Sequence, residues 1–359
     1  MKRFAFKAVV LLTLAACNEP TRSVAPRSPQ ADVALAPSSQ YTVTDIGTLG
    51  GTFTQAFRIN EAGQVIGGST TSSGDLHAFL WTQGSGMIDL GTLAGSTFSL
   101  AWGINNQGVV VGEIDLPSGH HRAFVWTAAG GMRDLGTLGG DDALARDVNN
   151  KGEIVGVSTV ASGGPAHAVV WTAQGQIRDV GTFNGTNTHF RTVDNAGTTA
   201  AGSDNLRSGG HEHAVLWHSA TGFQDLGTLG NDPSSGWRVN DLGQVVGISG
   251  TATVCCHGFL WTNATGMVDL GTLNGPDGTS DAFDISESGR VVGSTTTSAD
   301  PNNTHAYIWT QTTGMRLLPD LPGETDSGGF GINEAGQIIG FADTPDGRTH
   351  GILWTPRAQ

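Results

Sequence analysis

His77-Ala78-Phe79-Leu80-Trp81-Thr82 is the first clear copy of a motif that the chain repeats along most of its length, and this repetition indicates the fold. A tripeptide ending in tryptophan occurs seven times, and successive tryptophans lie 44 to 48 residues apart. The seven are Trp81, Trp126, Trp171, Trp217, Trp261, Trp309 and Trp354. A fixed period of this length predicts an array of similar structural units.

Each unit is predicted to contain four short strands. In the first unit these are Ala56 to Asn60, Gln64 to Thr70, His77 to Thr82 and Gly86 to Leu93, all rich in β-branched and aromatic residues. The turn after the first strand begins with Asn, Asp or Ser, three residues before a glycine. Such side chains fold back onto the backbone two residues ahead, so we expect a structural role for them. They are Asn60, Asn105, Asn149, Asp194, Asn240, Ser286 and Asn333.

Both faces of the third strand are apolar, so each small sheet must be covered on both sides. A propeller achieves this by packing each blade between two others, whereas an open solenoid needs polar caps that we do not find in the sequence. Tyr41 to Leu49 reads as an isolated fourth strand, and Gly328 to Thr355 lacks one. We therefore predict an all-β fold for 41–359, a seven-bladed β-propeller closed by pairing of the N-terminal strand with the C-terminal blade.

The repeated motifs resemble those of the HAF-repeat family of predicted extracellular proteins. The resemblance rests on His77-Ala78-Phe79, Asp89-Leu90-Gly91-Thr92-Leu93 and Ile332-Asn333-Glu334-Ala335-Gly336-Gln337, and it covers 41–359. It implies secretion or surface display and a β-rich array, and it brings no established activity. Arg122 in place of the histidine, the Cys256-His257-Gly258 variant and the loss of the Asp-Leu-Gly-Thr-Leu motif at 317–321 depart from the pattern.

The N-terminus is predicted to be an export signal. Basic Lys2 and Arg3 precede an apolar run too short to span a membrane. Leu14-Ala15-Ala16-Cys17 resembles the lipobox of bacterial lipoproteins, which implies cleavage before Cys17 and acylation of its thiol. We expect a signal peptide at 1–16, a lipidated flexible linker at 17–40 and a cell-envelope lipoprotein on the outer membrane or cell surface. The alternative is ordinary signal cleavage with Cys17 as a bystander.

Charge excludes some partners. The 359 residues contain 18 Lys and Arg against 32 Asp and Glu, for a formal charge of −14. An acidic surface repels phosphate backbones, so we expect no nucleic-acid partner and contact with a membrane only through the lipid anchor. We expect a monomer.

Two groups of residues invite a metal or redox interpretation. Six histidines recur at one position of the unit, but equivalent positions of separate blades lie too far apart to share an ion. We expect hydrogen bonds to a loop or to the repeated aspartate, and neither a metal site nor a cofactor. Cys255 and Cys256 are adjacent, and a vicinal disulfide between them is left open. The histidines are His77, His167, His213, His257, His305 and His350.

We expect the candidate ligand site where the chain enters the first strand of each unit, at the mouth of a central channel. The connections between second and third strands vary, and variable loops on a fixed scaffold favour binding. On that side, flat aromatic and arginine side chains are predicted to ring the channel mouth, where they could stack on sugars and grip anions. Packing between inner strands is the competing interpretation. The candidates are Phe57, Arg58, Trp102, Arg146, Arg191, Trp237, Arg238, Phe283 and Phe330.

We predict a surface-tethered extracytoplasmic binding module for an unidentified protein or glycan, with no catalytic residues. The alternative is a propeller-type hydrolase or lyase at the channel mouth, for which His189, Arg191 and Arg146 are the first suspects. A passive envelope or stalk protein is the third class.

Overall fold

The computed structural model describes residues 40–93, 95–185, 187–205, 212–254 and 256–357. The predicted signal peptide, the linker up to residue 39 with Cys17, and Cys255 lie outside the described residues. Within the described ranges no helix has the length and apolar character needed to cross a membrane. A short 3-10 helix occupies Gly275–Asp277.

The described residues form strands β1 to β28, which we group into repeat units by the sequence period. The first strand is β1 (Tyr41–Asp45). Unit 1 has β2 (Gly50–Ile59), β3 (Val65–Thr71), β4 (Leu76–Thr82) and β5 (Gly86–Asp89). Unit 2 has β6 (Ser99–Ile104), β7 (Val110–Asp115), β8 (His121–Thr127) and β9 (Gly131–Asp134). Unit 3 has β10 (Ala143–Val148), β11 (Ile154–Thr159), β12 (Ala166–Trp171) and β13 (Ile177–Gly181). Unit 4 has β14 (Thr188–Val193), β15 (Thr199–Asn205), β16 (Glu212–His218) and β17 (Gly222–Asp225). Unit 5 has β18 (Gly230–Val239), β19 (Val245–Thr251), β20 (His257–Thr262) and β21 (Gly266–Asp269). Unit 6 has β22 (Ser280–Ile285), β23 (Val291–Thr296), β24 (Thr304–Thr310) and β25 (Gly314–Leu317). Unit 7 has β26 (Asp326–Ile332), β27 (Ile338–Asp343) and β28 (Thr349–Pro356).

Units 2 to 6 are each one antiparallel sheet of four strands in chain order. The strands of units 1 and 7, together with β1, form one eight-stranded sheet. A single parallel bridge, Phe53 opposite Thr349, joins β2 to β28 within it. β1 pairs antiparallel with β28, placing Val43 opposite Trp354. The predicted all-β class is confirmed, and the architecture is that of a β-propeller.

The fourth strands are shorter than the sequence predicts. β5 ends at Asp89 rather than Leu93, because the Asp89 carboxylate turns back to accept a hydrogen bond from the Gly91 backbone N–H at 2.7 Å. Gly91 has a φ of +72°, which no extended strand adopts. β1 ends at Asp45 for the same reason, with the Gly47 N–H at 2.8 Å from its carboxylate.

The core lies between the sheets. One apolar cluster joins Val111 of unit 2 to Ala145, Ile154 and Trp171 of unit 3. Both faces of each third strand are buried, as the apolar alternation predicts, and Phe79 has no exposed surface. Burial of sheets on both sides is therefore the main apolar contribution to stability.

The turn residues have the predicted structural role. Asn60 Oδ1 accepts hydrogen bonds from the N–H groups of Ala62 at 3.1 Å and Gln64 at 2.9 Å. Its amide Nδ2 donates to the carbonyl of Asn105 in the next unit at 2.9 Å. The asparagine turns thus close their own hairpins and also tie adjacent units together, whereas the side chains of Asp194 and Ser286 bond within their own turns.

The recurring histidines bond to the repeated aspartate, as expected, in five of the six cases. In each of the five, imidazole Nδ1 lies within 3.1 Å of a carboxylate oxygen. The His350 pair is 2.6 Å long and joins β28 to β1. The pairs are His77 with Asp89, His167 with Asp179, His213 with Asp225, His257 with Asp269, and His350 with Asp45.

Cys256 is buried and disulfide-bonded. Because Cys255 lies outside the described residues, the bond between the two remains a prediction.

Candidate functional site in the central channel

A β-bulge interrupts the first strand of every unit at the same place. The register against the second strand shifts by one residue, which redirects the bulged side chain. The sequence predicted these residues as the channel ring but placed them where the chain begins the strand. They lie instead three residues before the turn, because the first strands begin earlier than expected. The bulged residues are Phe57, Trp102, Arg146, Arg191, Trp237, Phe283 and Phe330.

Five of these seven bulged side chains are aromatic, and they contact one another around the channel. We call the whole set of seven, including Arg146 and Arg191, the aromatic ring. Ring centroids of Phe57 and Trp102 are 4.7 Å apart, and those of Trp237 and Phe283 are 4.9 Å apart. Phe330 lies 4.6 Å from Phe283 and 5.8 Å from Phe57. The three phenylalanines are buried in one apolar cluster, so the competing interpretation, packing between inner strands, describes them well.

The two arginines of the ring stack on its two tryptophans. The Arg146 guanidinium carbon lies 4.5 Å from the Trp102 ring centroid, and that of Arg191 lies 4.9 Å from Trp237. Both distances are in the range of cation–π attraction. All four side chains are half-buried, in contrast to the phenylalanines, so this half of the ring remains accessible.

Buried donors without partners collect beside these pairs. Among the described residues, no hydrogen bond is made by the buried Nε1 of Trp102 and Trp237, by Nε of Arg191 or by Oγ of Ser235. A buried polar atom without a partner costs about 1–3 kcal/mol. Three of these four atoms belong to residues of the aromatic ring, and water or a ligand is what satisfies such atoms in proteins.

One side of the ring faces the variable connections between second and third strands, and we call this side the loop face. His189 lies on the loop face. Burial and the nearby Arg191 guanidinium lower the pKa of His189 to about 4, so its imidazole is neutral at neutral pH. Glu212 lies 4.0 Å from Arg191, beyond hydrogen-bond reach. Among the described residues no carboxylate bonds to His189, so the orienting contact expected for a general base is missing.

A layer of ion pairs lies next to the aromatic ring. It contains Arg238, and the neighbouring Arg58 bonds to backbone carbonyls; both arginines were candidates for ligand binding. Arg238 Nη1 lies 2.6 Å from Asp147, and its Nε lies 3.1 Å from Asp284. Burial lowers the pKa of Arg238, but the two carboxylates outweigh burial and raise it. Arg58 donates to the carbonyls of Phe57 and Phe330. Both arginines therefore bond to groups of the protein itself, and Arg238, which is as exposed as Arg146 and Arg191, differs from them by its two close ion pairs.

The opposite end of the channel, which we call the turn face, carries a ring that the sequence analysis missed. In every unit the backbone N–H of the residue after the turn residue donates to the side-chain oxygen of its equivalent in the next unit, at 2.6 to 3.3 Å. The series returns from Glu334 to Glu61. The only sequence signal was that this position is polar in all units. Its residues are Glu61, Asn106, Asn150, Asn195, Asp241, Glu287 and Glu334.

These residues line a cavity of about 240 Å³ whose inner wall includes Arg238. Burial raises the pKa of Glu61 and of Glu287, and neighbouring carboxylates, including Glu334 in both cases, add to this. The turn face is thus acidic, whereas the accessible arginines lie toward the loop face.

No protein-family model matches the chain, and no curated protein matches it. Solved structures similar to it include a puromycin hydrolase, with a TM-score of 0.56 and 11% identity over 89% of this chain and 55% of that chain. The acylaminoacyl peptidase of Pyrococcus horikoshii has a TM-score of 0.54 and 10% identity over 84% of this chain and 52% of that one. The chain thus spans about half the length of these two enzymes.

The β-propeller domain of the Trilobed protease from Pyrococcus furiosus, described as having an open velcro topology, has a TM-score of 0.52 and 8% identity. That match covers 84% of this chain and 96% of that one. Identities this low establish a shared fold and nothing about activity, so the chain is similar to these proteins as a β-propeller.

Proposed function

We propose that the eight-stranded sheet consists of two blades, so that the propeller has seven blades and closes on itself. The pairing of β1 with β28, the His350 to Asp45 contact and the hydrogen-bond series that returns from Glu334 to Glu61 support this closure. A closed ring leaves no exposed sheet edge at the junction.

On this scaffold we propose a binding module rather than an enzyme, with the Trp102–Arg146 and Trp237–Arg191 pairs as its ligand site. The observation that carries the proposal is the set of buried donors beside two accessible stacked pairs. Indole faces stack on the apolar faces of sugar rings, and indole N–H and guanidinium groups donate to hydroxyl and carboxylate oxygens. The ligand class that fits is a glycan carrying carboxylates.

The hydrolase or lyase alternative has weaker support. Its suspects are His189, Arg191 and Arg146, and the positive charges of the two arginines help to lower the pKa of His189. No carboxylate orients the imidazole among the described residues, and the similarity to two hydrolases extends to the fold alone.

The proposal keeps the extracytoplasmic location and the anchor at Cys17, which rest on the N-terminal sequence. A tethered module would hold its loop face within reach of glycans at the cell surface.

The experiment is a glycan array followed by calorimetric titration of the best acidic glycan. Substituting Arg146→Ala or Arg191→Ala should weaken binding by about 10-fold or more, the worth of one desolvated charge-assisted contact. Arg178→Ala is the matched control, since Arg178 stacks on Trp217 at 5.5 Å outside the ring. Affinity unchanged by both ring substitutions, or capture of a protein and no glycan, would refute the proposed site or ligand class.

A further inference from the structure

Unit 6 has the recurring histidine but lacks the pairing with aspartate that the five other units with this histidine keep. In the first unit, as in others, the partner of His77 is the aspartate twelve residues later. Twelve residues after His305 the chain has Leu317. A loop with two acidic residues, Asp320 and Glu324, follows instead.

That loop brings its carboxylates to the histidine. One ligand atom from each of His305, Asp320 and Glu324 lies within 4.8 Å of the other two. The loop is held in place because Trp354 Nε1 donates to the Pro319 carbonyl at 2.7 Å. The acidic side chains are therefore positioned by packing against unit 7, not by chance approach of exposed loops.

Glu324 supplies an independent sign that a partner is missing. Its Oε2 accepts a hydrogen bond from the Leu321 N–H at 2.6 Å, whereas Oε1 is buried and has no partner among the described residues. A carboxylate oxygen buried in this way is costly unless a donor or a cation pairs with it.

We propose that His305, Asp320 and Glu324 form a binding site for a divalent transition-metal ion of the zinc class. One imidazole nitrogen and two carboxylate oxygens match the preferences of Zn²⁺ better than those of Ca²⁺ or Mg²⁺, which take oxygen ligands alone. This reverses the expectation, drawn from the separation of the six equivalent histidines, that the chain has no metal site.

The geometry fits with a small adjustment. Tetrahedral bonds of about 2.0–2.2 Å to one ion place ligand atoms about 3.3–3.6 Å from one another, so the three groups would close by at most about 1.5 Å. Asp300 lies 3.5 Å from His305 Nε2. A carboxylate in that place typically orients a metal-binding imidazole. Three protein ligands leave one position of a tetrahedral ion open, and Asp320 lies on the exposed side.

The test is titration of the purified full chain with ZnCl₂ by calorimetry, together with thermal unfolding with and without Zn²⁺. We expect one tightly bound ion per chain and a higher unfolding midpoint when it is bound. Glu324→Gln keeps the shape of the side chain and should lower Zn²⁺ affinity by about 100-fold or more, since even outer-shell partners are worth about 10- to 100-fold. His305→Ala should do the same.

The matched control is His77→Ala, which removes a histidine from the same strand position of unit 1, where its aspartate is present. Its Zn²⁺ affinity should stay within about twofold of the parent chain. Equal binding by the parent, Glu324→Gln and His305→Ala chains would overturn the proposal, as would binding of Ca²⁺ without Zn²⁺. Circular dichroism of Glu324→Gln confirms that a lost site is not a lost fold.

Discussion

The ion-pair layer beside the aromatic ring makes a specific prediction about stability. Arg238 bridges Asp147 and Asp284, whose side chains are 3% and 5% exposed. Replacing Arg238 with methionine keeps the apolar stem and removes the charge. Two buried carboxylates then remain, with Arg58 as the remaining cation that acts on both.

The loss of unfolding free energy depends on the hydrogen bonds that the two carboxylates keep after Arg238 is replaced. Removing one partner of a buried ion pair costs about 3–5 kcal/mol. Asp147 still accepts hydrogen bonds from Thr192 Oγ1 at 3.0 Å and from the Val193 N–H at 3.2 Å, which offset part of the loss. Asp284 still accepts from the Ile332 N–H at 3.0 Å. We therefore expect Arg238→Met to lower the free energy of unfolding by about 3 kcal/mol, at the low end of that range.

The assay is equilibrium denaturation followed by tryptophan fluorescence. Arg348→Met is the control, because Arg348 and Asp346 form a surface pair with both side chains more than half exposed, and solvent screens such pairs so that they contribute little to stability. Adding Asp147→Asn to the Arg238 variant should restore part of the loss, since one buried carboxylate, Asp284, then remains with Arg58 as its counter-charge. A cost for Arg238→Met no larger than that for Arg348→Met would refute the reasoning.

Two further predictions address closure and pH. Thr42 and Thr355 face each other across β1 and β28, so the double variant Thr42→Cys/Thr355→Cys should form a disulfide on oxidation and gain up to about 5 kcal/mol in free energy of unfolding. The control variant Thr42→Cys/Thr310→Cys should form none. Failure of the first variant to cross-link would refute closure. Burial raises the pKa of Asp281 to about 6 although Ser294 donates to it, so the folded state resists its ionisation more than the unfolded state does. Asp281→Asn should therefore raise the free energy of unfolding by up to about 3 kcal/mol above pH 7. This gain should shrink as the pH falls through 6 toward 4, which denaturation at a series of pH values would measure. A gain that stays constant with pH would contradict the prediction.

What repeats in the sequence could be predicted from it. The tryptophan period located the units, and the Asn60 turn and the pairing of His77 with Asp89 have the geometry that their side-chain chemistry dictates. These contacts join residues close in the sequence, and the same residue types recur at the same spacing in several units. Comparison of the units with one another therefore reveals each contact. The all-β class followed from the same repetition.

The channel could be predicted only in part. Alignment of the units identified the residues of the aromatic ring, but the bulge that redirects their side chains depends on register between strands and has no clear sequence signature. From the sequence alone, Arg58 and Arg146 were equally good candidates for the ligand site. In the structure Arg58 bonds to two carbonyls inside the channel, whereas Arg146 stacks on Trp102 in an accessible position. That distinction requires coordinates.

The places where the units differ are where the chemistry concentrates. Repeated residues must satisfy the same packing in every unit, so they are constrained by the fold and carry little specificity. Arginine stands at the bulge in two units where the others have an aromatic residue, and there it produces accessible stacked pairs instead of a filled channel. Leu317 replaces an aspartate in one unit, and there a histidine is released toward two carboxylates. We therefore expect that placing the common residue of the repeat at either position removes binding and leaves the fold intact. Arg191→Phe should keep the stability of the parent chain and lose affinity for the ligand of the ring. Leu317→Asp should give His305 the aspartate partner that the equivalent histidines have and abolish Zn²⁺ binding.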